Sequence, residues 1–558
     1  MRLIAVFLCL TMIAPAQMRS NLVSPSHSDF SAPWFGTGNY WKKNFGALDT
    51  RVVLEPPVRL AEYVVDGKLT LSLKAYLDLV LANNTNIGIQ KLTLEIPKNG
   101  IQRALGVFDP TFTANFSATR SETPATNELE GANIVSTLNQ PFTARVQQLL
   151  PTSTTVFGQW SGSRQSSNNQ FLLFNPGWNN TLQMGFTQPL LRGRGMNITR
   201  LPITIAKRQV RVQEFTFRDQ VQNLIVQAEN AYWDLVSARE RLRVQEQALS
   251  LAEESLKRAR RELELGATPE LEIYQPEQQA ATARIGVVQV QYQIKQFEDS
   301  LRRQIGADLD PAFQSIPIVL TEDVSQAPDD RQYNPNEMVD LAKQNRPDLM
   351  SLRTSLEVND LQIESAMNQL KPQLNFQGTY STTGRGGTAR LRPGQPGYPA
   401  GSTGVVIIPG GLGDAFNQWF NFNTFAFSLN LQLPLRDRAA SAGLADAVVN
   451  KRLNAMRERN IEQQLRQEVL NAITQVESSR EGVKLARIAL EFAEKRVEAD
   501  QKRYDLGVIQ IFFLLSAQTD LTQAQSNLVN QTVQYKRNLL VLQQRLGTLL
   551  EDKGLVLQ

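Results

Sequence analysis

The one histidine, His27, and the one cysteine, Cys9, both lie close to the N-terminus of the 558-residue chain. Without a second imidazole or thiol, no His-based nucleophilic triad and no His- or Cys-rich metal site can be assembled. Gly193 and Gly195 in Arg192-Gly-Arg-Gly195 lack the lysine and hydroxyl that a phosphate-cradling loop needs. Carboxylates are plentiful, but they alternate with Lys and Arg in the manner of solvated coiled-coil faces. The sequence therefore offers no catalytic residues, no cofactor cradle and no metal centre, and it reads as a non-enzyme.

The elements that would carry these side chains repeat. Setting Ala252 on Ala493 gives an offset of 241 that runs through Gly266 and Gly507 to Gly306 and Gly547. An earlier offset of 262 sets Asn83 on Asn345, Ile87 on Leu349, Ala104 on Ala366 and Pro110 on Pro372. Each half reads helix, Pro-marked strand start, strands, long helix, Leu-Gly turn, long helix. The difference of 21 between the offsets is extra sequence in the first half, between its strands and its second helix.

The long helices carry a seven-residue period, the mark of helices packed side by side. Val221, Ala228, Leu235, Leu242, Leu249, Leu256 and Leu263 hold one seam position, and Leu224, Ala231, Ala238, Ala252 and Ala259 hold the other, interrupted by Gln245. Ile273, Ala280, Val287, Ile294 and Leu301 continue the period on the return helix, as do Val469, Val476, Val483 and Leu490 in the second half. From Ile203 to Leu265 the helix would be a rod of roughly 90 Å. Gly266 and Gly507 would end the rods, and Thr268, Pro269 and Glu270 would start the return helix. Pro276 should kink that helix or shift its start.

The strands alternate. Phe112, Ala114 and Phe116 oppose Thr111, Thr113 and Asn115, and Phe425, Phe427, Leu429 and Leu431 oppose Ala426, Ser428, Asn430 and Gln432. Such runs suit a barrel with lipid outside and water inside, and a soluble sandwich produces the same pattern. Two observations favour the barrel. Arg2, the apolar run Leu3 to Ile13 and the small residues Ala14 and Ala16 form a secretory signal. No later stretch is long and apolar enough for a membrane helix, so any membrane entry must be as a closed barrel. Ser121 to Gln140 and Thr382 to Gly413 have the composition of exposed loops. The alternating runs Phe142 to Val146 and Val156 to Gly162 either widen the barrel or form a hairpin above it. A net charge of +4 with interleaved signs gives nucleic-acid binding no support.

The expected organisation is a signal peptide at 1–16, an extended Pro-containing arm at 17–69, a first structural repeat at 70–308, a linker at 309–334, a second repeat at 335–550 and a tail at 551–558. The motifs Ala104-Leu-Gly-Val-Phe-Asp-Pro110, Thr187-Gln-Pro-Leu-Leu191, Leu265-Gly-Ala-Thr-Pro-Glu-Leu-Glu272, Asn345-Arg-Pro-Asp-Leu349 and Leu506-Gly-Val-Ile-Gln-Ile-Phe-Phe-Leu-Leu-Ser-Ala-Gln518 carry a further signal. In their order, spacing and duplication, from about Leu69 to Leu550, the chain resembles the TolC family of outer-membrane factors.

The resemblance implies a mixed fold, a membrane β-barrel joined to a long α-helical coiled-coil barrel and internally duplicated. It implies a homotrimer in which each subunit gives four strands to a twelve-stranded barrel in outer-membrane lipid. A periplasmic adaptor, or membrane fusion protein, would dock on the tips Leu265, Gly266, Ala267, Thr268, Leu506, Gly507, Val508 and Ile509 and link them to an inner-membrane pump, for efflux or type I secretion. Glu272 matches a family position where a carboxylate narrows the periplasmic aperture; as a bland alternative, it is a solvated first-turn acid. Phe513 and Ser516 stand where relatives carry acids. Tyr504 matches a gate tyrosine whose basic partner is here Ile509, and it also holds a heptad seam position. The expected aperture is therefore apolar, using Phe512 or Phe513, rather than a polar network. The rival class is a secreted coiled-coil scaffold or adhesin without a pore.

Overall fold

Two helices of nearly equal length dominate the computed structural model, which describes residues 34–45, 57–126, 130–266, 269–322 and 330–555. The proposed signal peptide, Cys9 and His27 lie outside the described residues. Residues 34–45 belong to a separate unit. Within it, helix α1 (Gly38–Phe45) lies in the stretch read from its prolines as an extended arm, and Phe35, Tyr40 and Trp41 pack edge to face there.

In the main unit, α2 (Leu73–Asn83), α3 (Thr85–Thr93) and α4 (Glu95–Leu105) lead into the first strands. The rods are α5 (Met196–Glu264, 69 residues) and its counterpart α10 (Arg438–Asp505, 68 residues), each about 100 Å long. Their return helices are α6 (Tyr274–Gln304) and α11 (Ile511–Leu546), and a last short helix is α12 (Leu549–Asp552). Between the halves lie α7 (Pro335–Asn345) and α8 (Pro347–Gln369). In the lower tier the helices stand in the order α6, α5, α11, α10; in the upper tier α4 lies beside α5, and α8 fills the gap between α5 and α10. Ion pairs fix α8 there: Arg208 to Glu357 at 3.1 Å, Arg353 to Glu458 at 2.9 Å and Arg346 to Glu468 at 2.7 Å.

The duplication is visible in the cores. Val339, Ala342 and Leu349 in one cluster stand 262 residues after Leu77, Val80 and Ile87 in the other. Leu465, Val469, Ile473, Val476, Tyr535, Leu542 and Leu546 stand 241 after Leu224, Ala228, Tyr232, Leu235, Ile294, Leu301 and Ile305. The glycine turns repeat as well. Gly306 and Gly547 have φ of 71° and 77°, and a Cβ on either would press on the carbonyl oxygen of Asn83 or Asn345. A small sheet closes the first core: β1 (Val64–Val65) pairs with β2 (Lys68–Leu71), and β2 pairs in parallel with β8 (Ile318–Leu320).

The heptads divide in a way the spacing alone does not show. On α5, Val221, Ala228 and Leu235 are buried, but nearer the tip it is Ala238, Ala252, Ser255 and Ala259 that are buried while Leu242, Leu249, Leu256 and Leu263 stay half-buried. The alanines let the helices of one chain approach closely, while the leucines remain partly exposed. Gln245, which breaks the period, sits over Gly286, where a Cβ would come within 2.7 Å of its Oε1. Pro202 lies inside α5, so the rod starts before the Ile203 expected from the sequence. Pro276 shifts the return helix rather than kinking it: a tight turn over Glu270–Ile273 comes first, and Pro276 then falls in the first turn of α6, where its missing N–H is not needed. Thr268, the expected cap, lies outside the described residues.

The second sheet comprises β3 (Thr111–Phe116), β4 (Thr119–Pro124), β5 (Ile134–Leu149), β6 (Thr155–Ser167), β7 (Phe174–Pro189), β9 (Gln373–Leu391), β10 (Val406–Ile408) and β11 (Asn423–Gln432). All pairings are antiparallel. Because β3 and β4 lie end to end on one edge and β11 and β10 on the other, the sheet is six strand positions wide: β3/β4, β5, β6, β7, β9, β11/β10. The sheet thus has six strand positions where the resemblance implies four strands per subunit, and Phe142 to Val146 and Val156 to Gly162 both lie within it. Two stretches expected as loops are also partly strand, Ser121–Pro124 and Ile134–Gln140 on one side and Thr382–Leu391 on the other. In Ser121–Pro124 and Thr382–Thr388 both faces are polar, so the alternation that marks a strand in sequence is missing there.

One face of the sheet is apolar across all six positions. The register puts Phe112 beside Val146, Ala144 beside Trp160, Trp160 beside Leu182, Met184 beside Tyr380, and Phe376 beside Leu429. The other face carries Thr113, Thr143, Gln159, Gln183, Ser381, Ser428 and similar uncharged polar residues, with Arg385 and Arg145 as exceptions, the Arg145 guanidinium lying over the Phe157 ring. At the end remote from the rods, helix α9 (Leu412–Asn417) lies on the apolar face, where only glycine at 384 and 386 leaves room for its backbone.

Candidate conduit and its helical tips

The tips are built by the turns that end α5 and α10. After α10, the Gly507 N–H donates to the Tyr504 carbonyl at 2.8 Å and the Val508 N–H to the Arg503 carbonyl at 2.9 Å, with Gly507 at φ 71°. This paired closure needs a left-handed residue, which glycine adopts without a Cβ clash. Gly266, at φ 69°, starts the same closure after α5. Leu265, Leu506 and Val508 project into solvent, 83%, 78% and 70% exposed in the single chain. Ile509 is half-buried. Ala267 and Thr268 lie outside the described residues.

Above the turns, the two hairpins are joined by polar contacts. The Tyr504 hydroxyl donates to Glu262 Oε2 at 2.8 Å, and Arg258 pairs with Asp505 at 3.3 Å. The Tyr504 ring packs on a small apolar cluster of Ala259, Ile511 and Leu515. It is thus both a seam residue and a hydrogen-bond donor. Burial, the Glu262 carboxylate and the nearby Glu272 charge push its phenol above the ordinary tyrosine range. The absence of a basic residue at 509 therefore does not remove polar linkage: Glu262, Arg258 and Asp505 supply it. A second link lies higher, where buried Ser255 and Gln518 meet at 3.4 Å.

Sequence reasoning missed Glu262, Arg258 and Asp505 because charges on a coiled-coil face look alike whether they meet water or a neighbouring helix. One signal was present. Tyr504 is the repeat equivalent of Leu263, and a hydroxyl placed at an apolar seam requires a partner.

The other expected aperture residues are spread over the tip. Glu272 is exposed in the turn before α6. Phe512 and Phe513, in the first turn of α11, are each about half exposed and meet edge to face at 5.6 Å, while Ser516 is half-buried. Among the described residues, no helix is long and apolar enough to cross a membrane. The candidate membrane surface is instead the apolar sheet face, on which Phe112, Phe116, Phe425, Phe427, Leu429 and Leu431 are 63–71% exposed.

The lower tier also leaves two apolar stripes uncovered. Ile285, Val288 and Tyr292 on α6 and Leu485, Ile488 and Phe492 on α10 are all exposed. They share the spacing of a heptad seam, and α6 and α10 are the two outer helices of the tier.

Comparison with known proteins follows this geometry. The family model for outer membrane efflux proteins matches residues 143–307 and 338–548, one stretch in each half. No curated protein matches the sequence directly. Among solved structures, a membrane protein from Pseudomonas aeruginosa is similar at 18% identity and a TM-score of 0.59, covering 89% of this chain and 97% of that one. The Campylobacter jejuni CmeC outer membrane channel is similar at 14% identity and a TM-score of 0.58, covering 90% and 91%. The open state of the Neisseria gonorrhoeae MtrE outer membrane channel is similar at 16% identity and a TM-score of 0.57, covering 85% and 88%. At these identities the likeness is one of fold, a TolC-like arrangement of sheet and helical rods.

Proposed function

Because the chain belongs to the outer membrane efflux protein family, we propose that it is the passive outer-membrane conduit of a tripartite efflux or type I secretion system. The observation that carries this is the two-faced sheet. An apolar face of Phe and Leu side chains this exposed is costly in water and suited to lipid, while the polar, largely uncharged face behind it suits a wet lumen. The chain cannot close that sheet alone, since the outer edges of β3/β4 and β11/β10 have no strand neighbour among the described residues.

Closure would come from copies of the chain, a homotrimer as in the resemblance. The stripes on α6 and α10 support this, because each would find its counterpart on the next copy. The periplasmic mouth would be the tips, with Glu272, Tyr504, Phe512, Phe513 and Ser516 around the aperture. The exposed Leu265, Leu506 and Val508, with Gly266, Ala267, Thr268, Gly507 and Ile509, would receive a periplasmic adaptor linked to an inner-membrane pump. The energy for transport would come from that pump; the conduit carries out no reaction and uses no cofactor. Opening would be a shift between two packings of the lower tier, biased by the partner. The links Tyr504–Glu262 and Arg258–Asp505 would hold the closed packing.

Fractionation of producing cells tests this reading. The chain should sediment with the outer membrane as an oligomer that dissociates on heating. A freely soluble product would support the scaffold or adhesin reading instead.

A further inference from the structure

We propose that the β5–β6 hairpin is a wall segment of the closed barrel, so that each copy contributes six strand positions and three copies make a barrel of eighteen. The inference rests on the membrane-conduit reading above. The repeat offsets already locate extra sequence in the first half, and the hairpin is what it builds: β9 and β11 of the second half span two positions, whereas β3/β4, β5, β6 and β7 span four.

Three observations place the hairpin in the wall rather than on it. Beyond its internal ladder of residues 137–149 with 155–167, it is paired on both flanks, residues 155–165 with 177–187 of β7 and residues 134–139 and 142–147 with β4 and β3. Along its length next to the rods its faces continue those of its neighbours, Val146, Trp160 and Leu182 on the apolar side and Thr143, Gln159 and Gln183 on the polar side. Its turn is tied to the scaffold, since the Ser153 hydroxyl donates to the Gly195 carbonyl at 3.0 Å and meets Thr199 in the first turn of α5. A one-residue slip would reverse every side chain, so this continuity specifies the register.

Strand direction is also consistent with closure. The six positions alternate up and down from β3 to β11, so β11 of one copy meets β3 of the next antiparallel, and the ring closes with any number of copies. Barrel diameter grows about linearly with strand number. A six-position wall is therefore about half as wide again as a four-position wall, and its lumen about twice the cross-section. In this conduit the outer-membrane segment is not the narrow point, and solutes would be sized at the helical tips.

Single-particle imaging of the full-length assembly extracted in detergent tests the proposal by counting strands per copy. Six per copy, with residues 134–167 in the wall, is the expected result. Four per copy, with those residues outside the wall, overturns it. The count is per copy, so an assembly of two or four copies would contradict the trimer and leave the hairpin assignment standing. A solubilised single chain with no closed barrel would instead contradict the conduit reading. As a second measurement, Gln159 and Gln183 face each other across β6 and β7 on the polar side. The double variant Q159C/Q183C should form an intrachain disulfide in the assembled protein. Free thiols that both react with a modifying reagent in an intact oligomer would count against the wall.

Discussion

The Tyr504 hydroxyl donates to Glu262 Oε2 across 2.8 Å, joining the second long hairpin to the first just above the tips. The acceptor is a carboxylate and the ring is packed on Ala259, Ile511 and Leu515, so the contact is stronger than a bond in open water.

Tyr504→Phe removes that donor and keeps the ring. A hydrogen bond to a charged group is worth about 1.5–3 kcal/mol, less here because the pair is partly exposed. The expected outcome is a rise of about tenfold in the fraction of time the channel is open in planar bilayers, with Glu262→Gln giving a smaller rise in the same direction. An unchanged open fraction in both variants would remove this contact from the gate.

The same residue predicts an alkaline limit. Burial and the Glu262 carboxylate raise the folded-state pKa of Tyr504 above that of the unfolded chain. The stabilisation is therefore fully present below the ordinary phenol range and is lost as pH rises through the folded pKa. It is constant through neutral pH. The difference in phenolate absorbance between wild type and Tyr504→Phe should titrate above the ordinary tyrosine range; titration within that range would contradict the assignment.

Glu272 and Phe513 make opposite demands on the aperture. Glu272→Gln should lower cation preference in single-channel recordings without widening the pore. Phe513→Ser should raise conductance and leave ion preference alone. Unchanged selectivity in the first variant would leave Glu272 a solvated residue of the turn.

The glycine turns differ in what surrounds them. Gly507 has open space where a Cβ would go, whereas at Gly547 the Cβ would lie 2.7 Å from the Asn345 carbonyl oxygen. Gly507→Ala should cost about 1 kcal/mol from left-handed backbone alone. Gly547→Ala should cost more, about 2–3 kcal/mol, because the packing of α7 must also yield. Thermal dissociation of the oligomer would rank the two, and equal losses would argue against the packing contribution.

The rods, the duplication and the Leu-Gly turns were legible because each has a period or a fixed offset, and Leu542 stands 241 residues after Leu301 in the core as in the sequence. The outer part of the sheet was not, because Ser121–Pro124 and Thr382–Thr388 are polar on both faces and strand periodicity needs one apolar face to be seen. Pro276 signals a kink or a shifted start in the return helix, but the tight turn over Glu270–Ile273 that precedes α6 was not legible. At the tips, Tyr504 was visible and its partner was not. Glu262 and Arg258 gain their meaning only when α5 and α10 are set side by side, a relation between distant segments that spacing along one helix does not contain.

The central claim is that several copies of this chain enclose one water-filled passage. Purified full-length protein, sized in detergent and then added to a planar bilayer, tests it most directly. The account predicts a three-copy particle that opens discrete, long-lived conductance steps. A protein that remains a single copy and leaves the bilayer insulating would contradict it.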